Sequence, residues 1–345
     1  MAAVTKAPSI VVRAAKPDEG RTISGLWREL WDAHEGWGGY PGARDQRVYD
    51  QLAHRLSDDA RVRGGQPVLG RHIHLVVATE QGVMGQVEGW FERHGVDETT
   101  PYTCEVRSLI VSQHSRTRGL GRALLDELAR VGRQMSRGAP VVMAAEVLEP
   151  NPAHSFYAKV GYAPVSWTAR VATDGPTDSS PADPFFARPA TPHDALAIAM
   201  LDPALAERRR NQGDIRFDRP RAVDATFVGA LAAHLARPLG ALDQCELVVV
   251  DRQQVVRASA SLTVMSLDPP FLPARRGLLG RFAVDPAVDP RPLVAPLLKL
   301  GRRLALLRGA ATLELTDLDP PRGPLHEGAM NAGGKPWSRI VERWA

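Results

Sequence analysis

The chain has 345 residues, 44% of them apolar, and a formal net charge of +4. That length is generous for one compact domain and comfortable for two, and the composition excludes a disordered chain. The positive surplus suits an anionic ligand, but no dense Lys/Arg run marks a nucleic-acid surface and no stretch approaches the ~18 consecutive apolar residues of a membrane span. Two distant cysteines, Cys104 and Cys245, frame neither a disulfide scaffold nor a metal knuckle. The expectation is a cytoplasmic protein with no metal, no nucleic-acid partner and no membrane partner.

In chain order, Ile10–Arg13 reads as a short strand. Residues 19–34 read as a helix, with Ile23, Leu26, Leu30 and Trp31 at helical spacing. An aromatic, glycine-rich loop from Glu35 to Gly42 precedes a second helix over 45–56. His72–Thr79 and Gly82–His94 read as strands joined by a tight turn, and Tyr102–Val111 as another. A glycine-punctuated turn then opens a helix from Gly121 to about Arg137. Val141–Val147 reads as a strand, Asn151–Lys159 as a short helix, and Tyr162–Arg170 closes the set. This order describes an α/β (α+β) fold: a mixed, mainly antiparallel sheet flanked by helices, with one parallel crossover.

Residues 173–184 contain Asp-Gly-Pro, Ser-Ser-Pro and Asp-Pro with almost no periodic apolar content, so they read as a linker. Beyond them the order restarts. Helices are expected over 193–201 and 222–235, strands over 245–250, 255–264 and 278–284, a helix over 293–307 and a strand over 311–315. The chain is therefore expected to carry one fold twice, over residues 8–172 and 185–345.

The strongest chemical signal is the run from Leu109 to Leu125, with Arg116-Thr117-Arg118-Gly119-Leu120-Gly121-Arg122 between strand and helix. Glycines let the backbone turn sharply and present N–H groups, and the helix start adds partial positive charge, so a pyrophosphate fits there without a metal. Arg116, Arg118 and Arg122 add charge-assisted bonds. The Walker-type loop and the dinucleotide fingerprint both fail to match. The alternative is a glycine-containing strand–helix turn with solvated arginines.

The Arg-x-x-Gly-x-Gly turn resembles that of the GNAT superfamily of acyl-CoA N-acyltransferases. A second block, Asn151-Pro-Ala-His154-Ser-Phe156-Tyr157-Ala-Lys-Val-Gly161-Tyr162, resembles the family's stretch after the fifth strand. The resemblance covers roughly Ile10 to Arg170. It implies acetyl-CoA as co-substrate and direct transfer to a small primary amine. A protein amine, or a non-catalytic acyl-CoA-binding module, is the alternative.

The resemblance places Leu109, Ile110 and Val111 along the pantetheine, with a backbone N–H for the oxyanion. Residues 116–122 then hold the pyrophosphate and Asn151 bonds a pantetheine amide. It makes Tyr157 the acid for the leaving thiolate; a core aromatic is the other reading. Glu105 matches the base of the histone-acetylating branch. Period-2 geometry would put it on one face with Arg107, Leu109 and Val111, while a structural carboxylate paired with Arg107 remains open. Cys104 beside it fits a packed thiol better than a nucleophile.

Trp37 and Tyr40, in the loop between the first two helices, and Trp90 on a neighbouring strand are candidates for the acceptor cleft. A capping loop at the core edge would use the same aromatics. In the second half the equivalent turn runs from Phe282 to Pro292. Its glycines are gone, prolines remove donors, and Asp285 and Asp289 would repel phosphate. That half is expected not to hold CoA in the same way.

Overall fold

The computed structural model describes residues 10–93, 101–116, 118–174, 184–217, 223–237, 244–267, 271–272 and 274–345. Contacts divide the chain into two compact units: Met1–Ala163 with Asp268–Leu272 and Val341–Ala345, and Pro164–Leu267 with Pro273–Ile340. No helix among the described residues is long and apolar enough to cross a membrane.

The first unit carries β1 (Val11–Ala14), α1 (Gly20–Gly36), α2 (Gln46–Arg63), β2 (Val68–Leu69), β3 (His72–Thr79), β4 (Gly82–Arg93), β5 (Tyr102–Val111), α3 (Leu120–Met135), β6 (Val141–Leu148) and α4 (His154–Lys159). Its sheet runs β1-β3-β4-β5-β6, with β2 beside β3. Every pair is antiparallel except β5 with β6. One face is covered by α1 and α2, whose Ile23, Leu26, Trp27, Leu52 and Leu56 pack with Val76, Val83 and Ile110. On the other, α3 presents Leu124, Leu125 and Leu128 to Val87, Phe91, Cys104 and Val106. That spacing is the apolar stripe of an amphipathic helix. A Cβ on Gly89 of β4 would stand 2.7 Å from the Leu128 side chain, so this glycine sets how closely α3 approaches the sheet.

The second unit carries β7 (Ala163–Ala172), β8 (Phe185–Pro189), α5 (Ala195–Asn211), α6 (Ala225–Leu235), β9 (Gln244–Asp251), β10 (Val256–Ser266), β11 (Arg275–Val284), α7 (Arg291–Leu307), β12 (Ala310–Leu318), α8 (Pro324–Asn331) and most of β13 (Lys335–Trp344). Its order is β13-β7-β12-β11-β10-β9-β8. The parallel pair is β11 with β12, followed on either side by antiparallel neighbours. The architecture of the first unit thus recurs, parallel crossover included.

Several elements differ from the sequence expectation. The first helix of the second half runs on from Leu201 to Asn211, through Pro203; buried Leu205 and Arg209 hold that segment in place. Helix α8 and strands β2, β8 and β13 were not among the expected elements. The largest difference concerns strand membership. The expected division followed the linker, residues 173–184, whereas the contacts divide the chain at Ala163–Pro164. Strand β7 pairs with β12, Thr312 opposite Ala172 and Leu315 opposite Ala169. The last five residues belong instead to the first unit. There Val341 is 4% exposed, the Ala345 N–H donates to the Val141 carbonyl at 3.0 Å, and Arg343 donates to the Val160 carbonyl at 2.9 Å. Deleting 341–345 should therefore destabilise the first unit by at least ~2 kcal/mol from the lost burial of Val341 alone. Urea unfolding reads this, and an unchanged midpoint would show the segment to be dispensable.

Candidate functional site

Strand β5 ends at Val111, and Arg116 Nε donates back to the Val111 carbonyl at 3.3 Å, which ties the turn to the strand end. Gly119, at φ +75°, is the N-cap of α3. An L side chain rarely adopts that left-handed conformation. Gly121 serves a different need: a Cβ there would lie 3.2 Å from Phe156 Cζ, so α4 packs directly on the first turn of α3. Among the described residues no side chain caps α3, and its first turn carries no acid. The N–H groups at its start and the positive end of its dipole thus meet no carboxylate from that turn. Leu120 points into the core. Arg116, Arg118 and Arg122 are exposed around the turn, with Arg122 Nε 3.5 Å from Asp126. Thr117 lies outside the described residues.

The parallel ladder between β5 and β6 ends at Val106 opposite Ala145, although β5 continues to Val111 and β6 to Leu148. Leu109, Ile110 and Val111 therefore lie past the point where the strands part. On the far side, Asn151 Oδ1 accepts from the Ala153 N–H at 2.9 Å and opens α4. That bond leaves the side-chain NH2 as the donor Asn151 can offer a ligand. His154 Nε2 lies 2.9 Å from the Leu148 carbonyl, a structural bond. Tyr157 is 7% exposed, with its ring edge-on to Phe156 and Tyr162. Burial pushes its hydroxyl well above the usual tyrosine range, so it stays protonated.

A register shift changes which side chains of β5 share a face. Gly89 pairs with Val106 and Glu88 with Ser108, so Arg107 is an extra residue, a β-bulge. Before the bulge, Cys104 and Val106 face α3; after it, Leu109 and Val111 do, while Ile110 faces α1 and α2. Glu105 is therefore not on the face of Leu109 and Val111, because one inserted residue inverts the alternation. Its side chain is 49% exposed and 3.4 Å from Arg107. Cys104 is fully buried, and desolvation pushes its thiol up to about 12, the environment of a packed thiol.

The α1/α2 face of β3, β4 and β5 carries a buried polar row that single-residue reading missed. His74 Nε2 lies 2.8 Å from Gln86 Oε1, Gln86 Nε2 donates to Ser108 Oγ at 3.3 Å, and the Ser108 hydroxyl donates to Glu88 Oε2 at 3.4 Å. Because an amide oxygen only accepts, the His74 proton sits on Nε2, and the whole chain donates towards Glu88. His72 adds a second approach. Arg63 donates to its Nδ1 at 2.7 Å, so the remaining proton is on Nε2, 3.7 Å from Glu88 Oε1. Desolvation lowers both histidines to about 4, which keeps them neutral. Desolvation also raises Glu88 to about 7. The legible signal was alternation: His72-x-His74 and Gln86-x-Glu88-x-Trp90 place polar groups at period 2 along otherwise apolar strands. Trp90 belongs to this row, under the Arg107 guanidinium at 4.5 Å.

Trp37 and Tyr40 fall in a separate aromatic group. Trp31 contacts Trp27, His34 and Phe271, with the Phe271 ring centroid 4.2 Å away. Trp37 lies tilted against His34 and Tyr40 meets Phe271 edge-on. Phe271 comes from the connection between β10 and β11, and the Leu272 N–H donates to the Pro41 carbonyl at 3.0 Å. Gly39 is required here, since a Cβ would stand 2.7 Å from the His34 carbonyl. The indole N–H groups of Trp27 and Trp31 are buried with no hydrogen-bond partner among the described residues.

In the second unit the corresponding turn is filled by its own acids. The Asp289 carboxylate accepts from the Arg291 N–H at 3.1 Å at the start of α7, and Asp285 accepts from Ala287 N–H at 2.9 Å and from Arg257 at 2.8 Å. Donors that would meet a phosphate are thereby occupied. Strand β11 repeats the bulge of β5, between its pairs Ser259–Ala283 and Ser261–Gly280.

Residues 26–162 match the sequence model of the acetyltransferase (GNAT) family. No curated protein matches the sequence. Among solved structures, a GCN5-related N-acetyltransferase from Sphaerobacter thermophilus aligns with 97% of this chain and 95% of its own, at 16% identity and a TM-score of 0.57. A GCN5-related glucosamine N-acetyltransferase region of a fungal multi-domain β-N-acetylglucosaminidase aligns with 98% of this chain and 38% of its own, at 13% identity and a TM-score of 0.54. At such identities the likeness is one of fold, and it extends over both units.

Proposed function

We propose that the protein is an acyl-CoA-dependent N-acyltransferase that moves an acetyl group from acetyl-CoA directly to a primary amine of a small molecule. The observation that carries this reading is the turn from Arg116 to Arg122: an uncapped helix start behind a left-handed glycine, ringed by arginines, beside the gap where β5 leaves β6. The diphosphate rests on the N–H groups of the turn and the arginines, and the pantetheine lies along Leu109, Ile110 and Val111 towards Asn151. A strand N–H in the gap meets the developing oxyanion. Tyr157, held protonated by burial, gives the leaving thiolate its proton. Loss of the amine's proton falls to a carboxylate on the α1/α2 face, where Glu88 and Glu105 both lie. The aromatic group around Trp31, Trp37, Tyr40 and Phe271 supplies an apolar wall for a small acceptor.

Thiol release from acetyl-CoA, measured against a panel of alkylamines, polyamines, amino acids, amino sugars and aminoglycosides, tests this. Release above background with at least one amine is expected. Tyr157→Phe should lower kcat about 100-fold while leaving acetyl-CoA affinity within a few-fold, the signature of a group acting on the leaving atom. Background release with every amine, in a protein that still binds acetyl-CoA, would reduce it to a binding module.

A further inference from the structure

We propose that Glu88, held by the donor chain from His74 through Gln86 to Ser108, is the base that takes the proton from the incoming amine. This rests on the acyl-transfer reading. Two buried carboxylates of the second unit are matched by guanidinium groups: Glu314 has Arg170 at 2.8 Å, and Asp194 has Arg188 at 2.7 Å. Glu88 is not. Its side chain is 13% exposed, the nearest basic group is the neutral ring of His72 at 3.7 Å, and among the described residues no Lys or Arg nitrogen comes within 4.0 Å. Its hydrogen bond comes from the neutral Ser108 hydroxyl at 3.4 Å, so taking up a proton breaks no pair with a guanidinium within 4.0 Å among the described residues.

Glu88 sits opposite Ser108, the residue that follows the bulge, directly after the last β5–β6 pair at Val106. The bulge turns Ser108 onto the α1/α2 face, away from α3, at the place where the strands begin to part. A thioester in the gap and an amine arriving from the α1/α2 face would meet at this level. Glu105, by contrast, is half in water and shares its charge with Arg107.

One ammonium proton passes to the Glu88 carboxylate, and the freed nitrogen lone pair forms the C–N bond at the thioester carbon. The C–S bond breaks and its electron pair leaves with sulfur. The thiolate takes a proton from Tyr157, which the second proton lost by nitrogen replaces. Glu88 then releases its proton to solvent. The groups that face Glu88 and set its basicity are Arg55 and Arg63 of α2, His72 of β3, and Arg107 and Ser108 of β5. The cations and the Ser108 hydroxyl favour the ionised form, and burial opposes it more strongly.

The test is the pH dependence of kcat/KM for thiol release from acetyl-CoA, using the best amine of the panel, in the wild type and in Glu88→Gln, Ser108→Ala and Glu105→Gln. The wild type should lose activity below about pH 7. Glu88→Gln should lower kcat/KM by roughly 10²–10⁴-fold and abolish that acid limb. Ser108→Ala removes a bond that favours ionisation, so its limb should move to higher pH, a shift that a merely structural role would not produce. It also decides the matter if Glu88→Gln fails to fold. A limb unchanged in Glu88→Gln and Ser108→Ala, or lost only in Glu105→Gln, overturns the assignment and leaves the transfer reading intact. A protein that binds acetyl-CoA and releases no thiol with any amine overturns the transfer reading, and the assignment with it.

Discussion

Replacing Gly119 by valine is expected to lower the affinity for acetyl-CoA about 10- to 100-fold, from a strain of roughly 1–2 kcal/mol and the loss of aligned donors. The residue stands at φ +75°, and a β-branched side chain is the least able to remain there. No heavy atom lies within 4 Å of the added Cβ, so the effect is conformational: the backbone must rotate out of the left-handed region, and the N–H groups at the start of α3 rotate with it. Folding should suffer little, because Gly119 is exposed and its neighbour Leu120 keeps its place in the core. Titration calorimetry with acetyl-CoA, beside a thermal melt, separates the two effects. Wild-type affinity in Gly119→Val would mean that these donors do not hold the diphosphate. Gly121→Ala offers a contrast, since its cost falls on the contact with Phe156 at 3.2 Å instead.

The largest stability effect is expected in the second unit. Arg209 and Asp214 are both 0% exposed, with Arg209 Nε donating to Asp214 at 2.9 Å and Arg209 Nη1 to Gln212 at 3.1 Å. Asp317 lies 3.6 Å from the same guanidinium. Arg209→Ala leaves a carboxylate in the interior without its cation, at a cost of about 3–5 kcal/mol. Replacing both partners, Arg209→Met with Asp214→Leu, should recover most of that loss, because the desolvation of both charges disappears with the attraction between them. Urea unfolding of the two proteins provides the comparison. A loss below ~1 kcal/mol in Arg209→Ala would show that water reaches the site and solvates Asp214.

Much of the first unit could be read locally. His72–Thr79 and Tyr102–Val111 match their strands, because alternation and tight turns are properties of neighbouring residues. The turn at 116–122 was equally legible: a left-handed N-cap and a close helix contact both demand glycine, and glycine is visible in any sequence. The polar row was half legible. His72, His74, Gln86 and Glu88 stand at period 2 on their strands, but nothing local says that they meet.

By itself, then, the sequence determined most of the elements, their repeated order and the turn with its arginines, since each depends on interactions within a few residues. Tertiary structure alone decided three things. The bulge at Arg107 turned Ser108 towards Glu88 and took Glu105 off the face of Leu109, because register is set by the partner strand. The end of β13 came to the first unit and β7 to the second, because a strand edge accepts any chain of matching pattern, near or far in sequence. Phe271 reached Trp31 from more than two hundred positions along the chain, because apolar packing depends on distance in space and carries no memory of sequence separation.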